Sequence, residues 1–205
     1  MLLRINPTQI RETDIVYIAE QLRQGAVIIY PTDTVYGIGC DISKPKAIER
    51  IAKLKNVKVE KANFTFMFHD LSHLADYTLP IDNEVFKLMK KSFPGPFTFI
   101  LNANNSIPKL FHNTKKTIGI RIPNNEIIRA IIKELGNPIL NASVHDDDDD
   151  ITEYFADPED IYSKFQKQVD LVIAGGYGNL IPSTVVDCTE GEIKVVRQGL
   201  GEVEI

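Results

Sequence analysis

The chain has 205 residues, of which 43% are hydrophobic and 25% charged, and a formal net charge of −5. That is enough for one large domain or two small ones with a core of good size. The acidic balance argues against a generally basic nucleic-acid binder, though not against a local basic groove. No apolar run approaches the ~20 residues that a membrane helix needs. Residues 1–9 carry one charged side chain and no long apolar stretch, so no secretory leader is expected. Cys40 and Cys188 are far apart and match no metal-ligand spacing, and a reduced, cytoplasmic setting is expected.

In chain order, residues 1–5 suggest a short strand closed by the turn dipeptide Asn6-Pro7. Ile15, Ile18, Ala19 and Leu22 recur at helical spacing and predict a helix over 11–24, with Gly25 just past its end. Ala26-Val27-Ile28-Ile29-Tyr30 follows as a buried strand that Pro31 ends, having no N–H for a ladder. Thr32, Asp33 and Thr34 come next, then Val35-Tyr36 and two glycines, Gly37 and Gly39, that allow tight turns or close backbone approach. A buried strand ending in hydroxyls, a carboxylate and glycines is how α/β proteins present ligand groups; the pattern equally fits an ordinary strand and polar turn. A second helix is predicted over 43–53, with Ser43 as N-cap. It runs into Lys53, Lys55, Lys58 and Lys61, which suit a phosphate-bearing ligand or a solvated loop.

Residues 64–68 alternate and predict a strand, and a short helix is expected from Asp70. His69 and His73 could share a helical face, with no third ligand evident for zinc. Further helices are predicted over 83–91, 127–135 and 157–168, the last with Asp157 as N-cap and Pro158 in the first turn. Strands are predicted over 97–101, 117–122, 138–143, 171–174 and 185–187, with a final strand and turn over 194–199. The five aspartates 146–150 read as a solvated loop, or less readily as a divalent-cation site. Gly175-Gly176-Tyr177-Gly178 could cradle an anion but lacks dinucleotide or P-loop spacing. Strands and helices alternate, and several strands lie close enough in sequence to be antiparallel neighbours, so a mixed sheet is expected.

Hydroxyl residues recur beside strands at Thr32 and Thr34, Thr117, Ser143, and Ser183 and Thr184, with Lys55, Arg121 and Arg197 as cations that could join them. Arg121 alternates with apolar residues and reads either as a clamp for a carboxylate or phosphate or as half of a structural ion pair. No nucleophile–base or metalloprotease motif is present. A site of hydroxyls, lysine and arginine handles anions by positioning and charge neutralisation.

Tyr30-Pro31-Thr32-Asp33-Thr34-Val35-Tyr36-Gly37-Ile38-Gly39 resembles the signature of the YrdC/YciO family. The resemblance continues in order through Thr117-Ile118-Gly119-Ile120-Arg121-Ile122-Pro123, Pro182-Ser183-Thr184-Val185-Val186-Asp187 and Val196-Arg197-Gln198-Gly199. It implies one domain over 1–205 with a twisted, open, mixed α/β sheet, flanking helices and a large concave surface. It also implies synthesis of threonylcarbamoyl-AMP from threonine, bicarbonate and ATP with release of pyrophosphate, for tRNA modification. Thr34, Arg121 and Ser183 would hold threonine; Lys55, Thr117, Ser143 and Arg197 would hold ATP, with magnesium on its phosphates. The alternative that the family offers is a binder of double-stranded RNA or tRNA on the concave face. The enzymatic branch carries a K-x-R pair and an S-x-N pair. Here these read Lys55-Asn56-Val57 and Ser143-Val144-His145, closer to the YciO branch. Valine cannot replace a charge-assisted phosphate contact worth ~1.5–3 kcal/mol, and Lys58 or Lys61 offers no planar fork, so weak or altered synthase activity is expected.

Overall fold

Side chains alternate across a strand, so each strand commits one set of residues to each face of a sheet. In a computed structural model the structure describes residues 1–59, 62, 64–108, 116–146 and 153–203, and of residues 145, 146 and 153 the backbone alone. The strands are Leu2–Arg4 (β1), Ile28–Tyr30 (β2), Gly37–Asp41 (β3), Thr65–Met67 (β4), Phe97–Asn102 (β5), Thr117–Arg121 (β6), Ile139–Ser143 (β7), His145–Asp146 (β8), Glu153–Tyr154 (β9), Leu171–Ala174 (β10), Thr184–Asp187 (β11) and Lys194–Arg197 (β12). All but the β8–β9 pair form one open, ten-stranded sheet of order β1-β10-β2-β3-β7-β4-β6-β5-β11-β12. It is mixed: β10 pairs in parallel with β1 and β2, β4 with β6, and β5 with β11, while the remaining pairs are antiparallel.

Among the described residues there are five α-helices: Glu12–Arg23 (α1), Pro45–Leu54 (α2), Asn83–Ser92 (α3), Glu126–Leu135 (α4) and Pro158–Phe165 (α5). None of them is long and apolar enough to cross a membrane. On one face of the sheet, Ile18 and Leu22 of α1 and Ile128 and Ile131 of α4 cover Ile28, Tyr30, Met67, Ile139, Leu171 and Ile173. On the other, Ile48 and Ile51 of α2, Met89 of α3 and Ile161 of α5 join Val27, Ile29, Ile38, Phe66, Phe99, Ile120, Leu140 and Val172. Burying one such aliphatic side chain stabilises by ~1.5–3 kcal/mol, and here both faces of the central strands are used.

Helix ends follow their local chemistry. Gly25 takes φ +92° after α1, and Gly136 takes φ +78° after α4, where a side chain would be strained. The Asp157 carboxylate accepts from the Glu159 N–H and caps α5, as expected. Ser43 does not cap α2: the helix begins at Pro45 after Lys44, which makes no side-chain cap. The Ser43 N–H instead donates to Asp41 Oδ1 at 2.8 Å, so an aspartate turn directs the chain into the helix, and Pro45 at the first position has no donor to satisfy. The short helix expected from Asp70 is a 3-10 turn over Leu74–Asp76.

Of the two expectations for Gly37 and Gly39, the close backbone approach holds and the turn does not, since both belong to a strand, β3. Tyr30 lies across them. A Cβ on Gly37 would overlap Asn141 Oδ1 and reach within 2.9 Å of the Tyr30 ring. A Cβ on Gly39 would overlap the Leu140 carbonyl and come within 2.7 Å of Ile139 Cγ2 and 3.0 Å of the Tyr30 hydroxyl. The carbonyl belongs to the paired strand β7 and cannot yield. The variant Gly39→Ala is therefore expected to lose ~1–3 kcal/mol of unfolding free energy in urea titration, the range for overpacking a filled interior. An unchanged midpoint would show that β3 and β7 are not in this contact.

Candidate functional site

The face that α1 and α4 cover changes character where those helices stop. Along β7, Ile139 faces the helices, and Asn141 and Ser143 continue on the same side. Along β4, Met67 does so and Thr65 continues. Register aligns the polar set: Thr65 pairs with Asn141 on one side and Gly119 on the other, and Gly119 pairs with Ile100. Together with Thr98, Thr117 and Arg121 these residues floor a cavity of about 340 Å³, bordered by Ser183, Val185, Val196 and Arg197.

Five of the seven residues singled out from sequence line this cavity: Thr117, Arg121, Ser143, Ser183 and Arg197. Thr34 lies behind it, fully buried, with its hydroxyl against Arg121. Lys55 sits at the carboxyl end of α2 and is not part of the lining, nor is Val57, which is 41% exposed. Lys61 and the aspartates 147–150 lie outside the described residues, as do the side chains of His145 and Asp146.

Arg121 is 4% exposed. Its Nη2 donates to Asp33 Oδ1 at 2.6 Å, to Thr34 Oγ1 at 2.6 Å and to Thr32 Oγ1 at 3.2 Å. Three acceptors thus share one nitrogen. Arg121 Nε and Asp33 Oδ2, both buried, have no partner among the described residues. The ion-pair reading of this arginine holds, and the same residue lines the cavity. Thr32 is a turn staple, donating to the Val35 carbonyl at 2.7 Å and accepting from the Thr34 N–H at 3.0 Å. At the opposite wall, Arg197 donates through Nη2 and Nε to the Ser183 carbonyl at 2.7 and 3.2 Å. The Ser183 and Thr98 hydroxyls meet at 2.9 Å.

Thr65, Thr98 and Asn141 were not singled out by the sequence reading. The signal was there in alternation. Thr65 lies between Phe64 and Phe66, and Thr98 between Phe97 and Phe99, so each is a hydroxyl on the face opposite its buried aromatic neighbour Phe66 or Phe99. Asn141 precedes Ser143 by two positions and must share its face.

Two of the four N–H groups in the glycine cluster after β10 are directed at partners within the protein. The Gly175 N–H points to the Tyr36 hydroxyl at 3.4 Å, and the Gly178 N–H donates to the Ala156 carbonyl at 2.8 Å. The Tyr36 hydroxyl donates to the Gly176 carbonyl at 2.6 Å, and burial pushes this phenol up to about 12. His69 and His73 turn to separate partners, the Arg129 carbonyl and the Asp76 carboxylate, each at 3.2 Å.

A family model for Sua5, YciO and YrdC proteins, described as telomere recombination, matches residues 20–199. The chain belongs to this family. It is 41% identical over 201 residues to the uncharacterised protein YciO of Escherichia coli (strain K12), across 98% of this chain and 96% of YciO. The crystal structure of E. coli YciO matches with a TM-score of 0.90 at 39% identity, covering 98% and 97% of the two chains. Threonylcarbamoyl-AMP synthase of Pseudoalteromonas translucida (strain TAC 125) is 29% identical over 178 residues, or 84% of this chain and 91% of the synthase. The fold is also that of P. abyssi Sua5 in its complex with L-threonine, with a TM-score of 0.88 at 24% identity, covering 97% of this chain and 57% of Sua5.

Two outcomes follow from the buried groups. Asp33→Ala leaves the Arg121 guanidinium without its counter-charge and is expected to cost ~3–5 kcal/mol in denaturant unfolding, the range for breaking a buried pair from one side. Tyr36 has a folded value of about 12 against an ordinary 10.0. Its neutral form is favoured in the folded state, so its contribution is complete below pH 10 and is lost as pH rises through about 12. A difference titration at 295 nm between the wild type and Tyr36→Phe should show no Tyr36 phenolate at pH 10.0, the ordinary value. Half-ionisation there, with the fold intact, would contradict the burial.

Proposed function

We propose that this chain binds ATP and a small amino acid in the cavity and joins them through a carbamate, in the manner of a threonylcarbamoyl-AMP synthase. One observation carries the reading: two arginines and the hydroxyls of Thr117, Ser143 and Ser183 converge on a single cavity on the part of the sheet face that α1 and α4 leave uncovered. Carboxylate, carbamate and triphosphate are all anionic, and a cavity of about 340 Å³ is in the usual size range of small-molecule sites. The 29% identity to a threonylcarbamoyl-AMP synthase supports the choice of chemistry.

In this reading Arg121, Thr34 and Ser183 serve the amino-acid carboxylate, Arg121 directly and Thr34 by holding the guanidinium. Thr117, Ser143 and Arg197 serve the nucleotide, with Lys55 reaching the phosphates from the end of α2. The amino group adds to the bicarbonate carbon and water leaves, giving a carbamate. A carbamate oxygen then attacks the α-phosphorus, the bond from that phosphorus to the bridging oxygen breaks, and pyrophosphate departs with the electron pair. Arg197 and Arg121 face the charge that moves during this exchange. Magnesium would travel on the phosphates, because among the described residues no carboxylate side chain lines the cavity. It would spread the charge of the triphosphate when bound. Val57 in place of a second phosphate-binding cation makes turnover slow.

Pyrophosphate release from ATP, threonine and bicarbonate tests the proposal. Wild type is expected to release it, and Arg197→Ala to fall by about 10–150-fold, the rate equivalent of one lost charge-assisted contact. Release no greater than that of a Lys55→Ala/Arg121→Ala double variant would reject the synthase reading.

A further inference from the structure

Tyr30 has no exposed surface, and its ring belongs to the α1/α4 core. Its hydroxyl reaches out of that core and donates to Asn141 Oδ1 at 2.7 Å. Asn141 is 6% exposed and lies on the cavity floor. The same Oδ1 rests against Gly37, where any Cβ would displace it. The other end of the amide faces Thr65, also on the cavity floor: one of the two Nδ2 hydrogens is donated to Thr65 Oγ1 at 3.1 Å, and the second is left for a ligand. Thr65 Oγ1 in turn lies 3.5 Å from the Asn141 carbonyl and donates to it, which uses its proton and leaves a lone pair for the amide N–H. The orientation of an asparagine amide follows from its partners. Here both ends agree, since the phenol gives a proton to Oδ1 and the threonine takes one from Nδ2. Burial holds the Tyr30 phenol well above its ordinary value, so it is a neutral donor throughout the physiological range.

We propose that Tyr30 is a positioning residue that locks the Asn141 amide with its N–H edge toward the cavity, so that this point of the floor accepts a ligand atom with a lone pair and rejects a donor. For the nucleotide site proposed above, on which this part rests, the atom is a phosphate or sugar oxygen or an unprotonated ring nitrogen. The two glycines of β3 gain a reason as well: only bare Cα atoms let the Tyr30 ring lie flat enough for its hydroxyl to reach Asn141. A ring needed only to fill the core would do so equally well as phenylalanine.

The test uses the full chain, labelled with ¹⁵N, with the Asn141 side-chain amide assigned by its loss in Asn141→Asp. In wild type, exchange of that N–H₂ group with water is expected to be at least about tenfold slower than for an exposed asparagine. Tyr30→Phe keeps the ring over Gly37 and Gly39 and is expected to speed exchange about tenfold with the backbone spectrum otherwise retained. Thr65→Val, which releases the other end of the amide, should do the same and serves if Tyr30→Phe does not fold. By calorimetry, Tyr30→Phe should weaken ATP about tenfold, and Asn141→Asp, which replaces the donor by an acceptor, at least about a hundredfold. The double variant Tyr30→Phe/Asn141→Asp should bind no more weakly than Asn141→Asp alone, because the phenol acts through the amide. Unchanged exchange in the Tyr30→Phe and Thr65→Val variants, or a double variant whose loss is the product of the two single losses, overturns the proposal. If wild type does not bind ATP, the nucleotide reading fails, and amide exchange alone decides whether Tyr30 holds Asn141.

Discussion

A guanidinium with almost no exposed surface sits at the carboxyl end of β6, and its charge has to be met inside the protein. Asp33, Thr32 and Thr34 meet it, all from the connection that leaves β2. In the sheet, β3, β7 and β4 lie between β2 and β6, so this pair binds together parts of the fold that the strand ladder alone separates. Burying a charge without its partner is costly enough that the 31–36 connection and the end of β6 must form together. The geometry is lopsided, with Nη2 shared among three acceptors while Nε and Asp33 Oδ2 have none among the described residues. The arginine thus enters the cavity with one edge already committed to the protein.

The same economy of placement runs across the sheet face. Beneath α1 and α4 it carries isoleucine, leucine and methionine; beyond the helices it carries threonine, asparagine, glycine and arginine. Tyr30 marks the border, with its ring in the apolar half and its hydroxyl in the polar one. Nothing in the strand backbones changes at that line. What changes is whether a helix covers the face, and the sequence matches the cover: a buried hydroxyl or amide without a partner would be destabilising under a helix and is satisfied at a cavity. The opposite wall follows the same rule, since Arg197 is anchored on the Ser183 carbonyl and Ser183 on Thr98.

Membership of the Sua5/YciO/YrdC family fits this arrangement, and the similarity to E. coli YciO extends over nearly the whole of both chains. The chain departs from the expected synthase pattern at Val57 and His145, and the side chain of His145 lies outside the described residues. Val57 lies outside the cavity lining, and His145 belongs to the short strand that follows β7. The floor itself runs from Asn141 across Thr65 and Gly119 to Thr98, with the apolar Ile100 paired to Gly119.

Much of this was legible in the chain alone. Ile15, Ile18, Ala19 and Leu22 announced α1, Gly25 its end, and Asp157-Pro158 the start of α5, because periodicity and caps depend on neighbours within a turn or two. Alternation along 117–121 and 139–143 placed Thr117, Arg121 and Ser143 on a common kind of face. What sequence could not decide was pairing. Gly37 and Gly39 read as residues for a tight turn or a close backbone approach, and the strand pairing with Tyr30 lying across them makes it the close approach. Ser43 reads as a cap in sequence, but its N–H goes to Asp41 and the helix starts two residues later. Arg121 carried two readings, and a partner 88 positions away in sequence showed that it is half of an ion pair while still lining the cavity. Lys55 stayed outside the cavity lining although its neighbours in sequence suggested an anion site. Local patterns specify which residues share a face. Only the packed sheet, through register and through the cost of leaving a buried charge or hydroxyl unpaired, determines which of those faces meet.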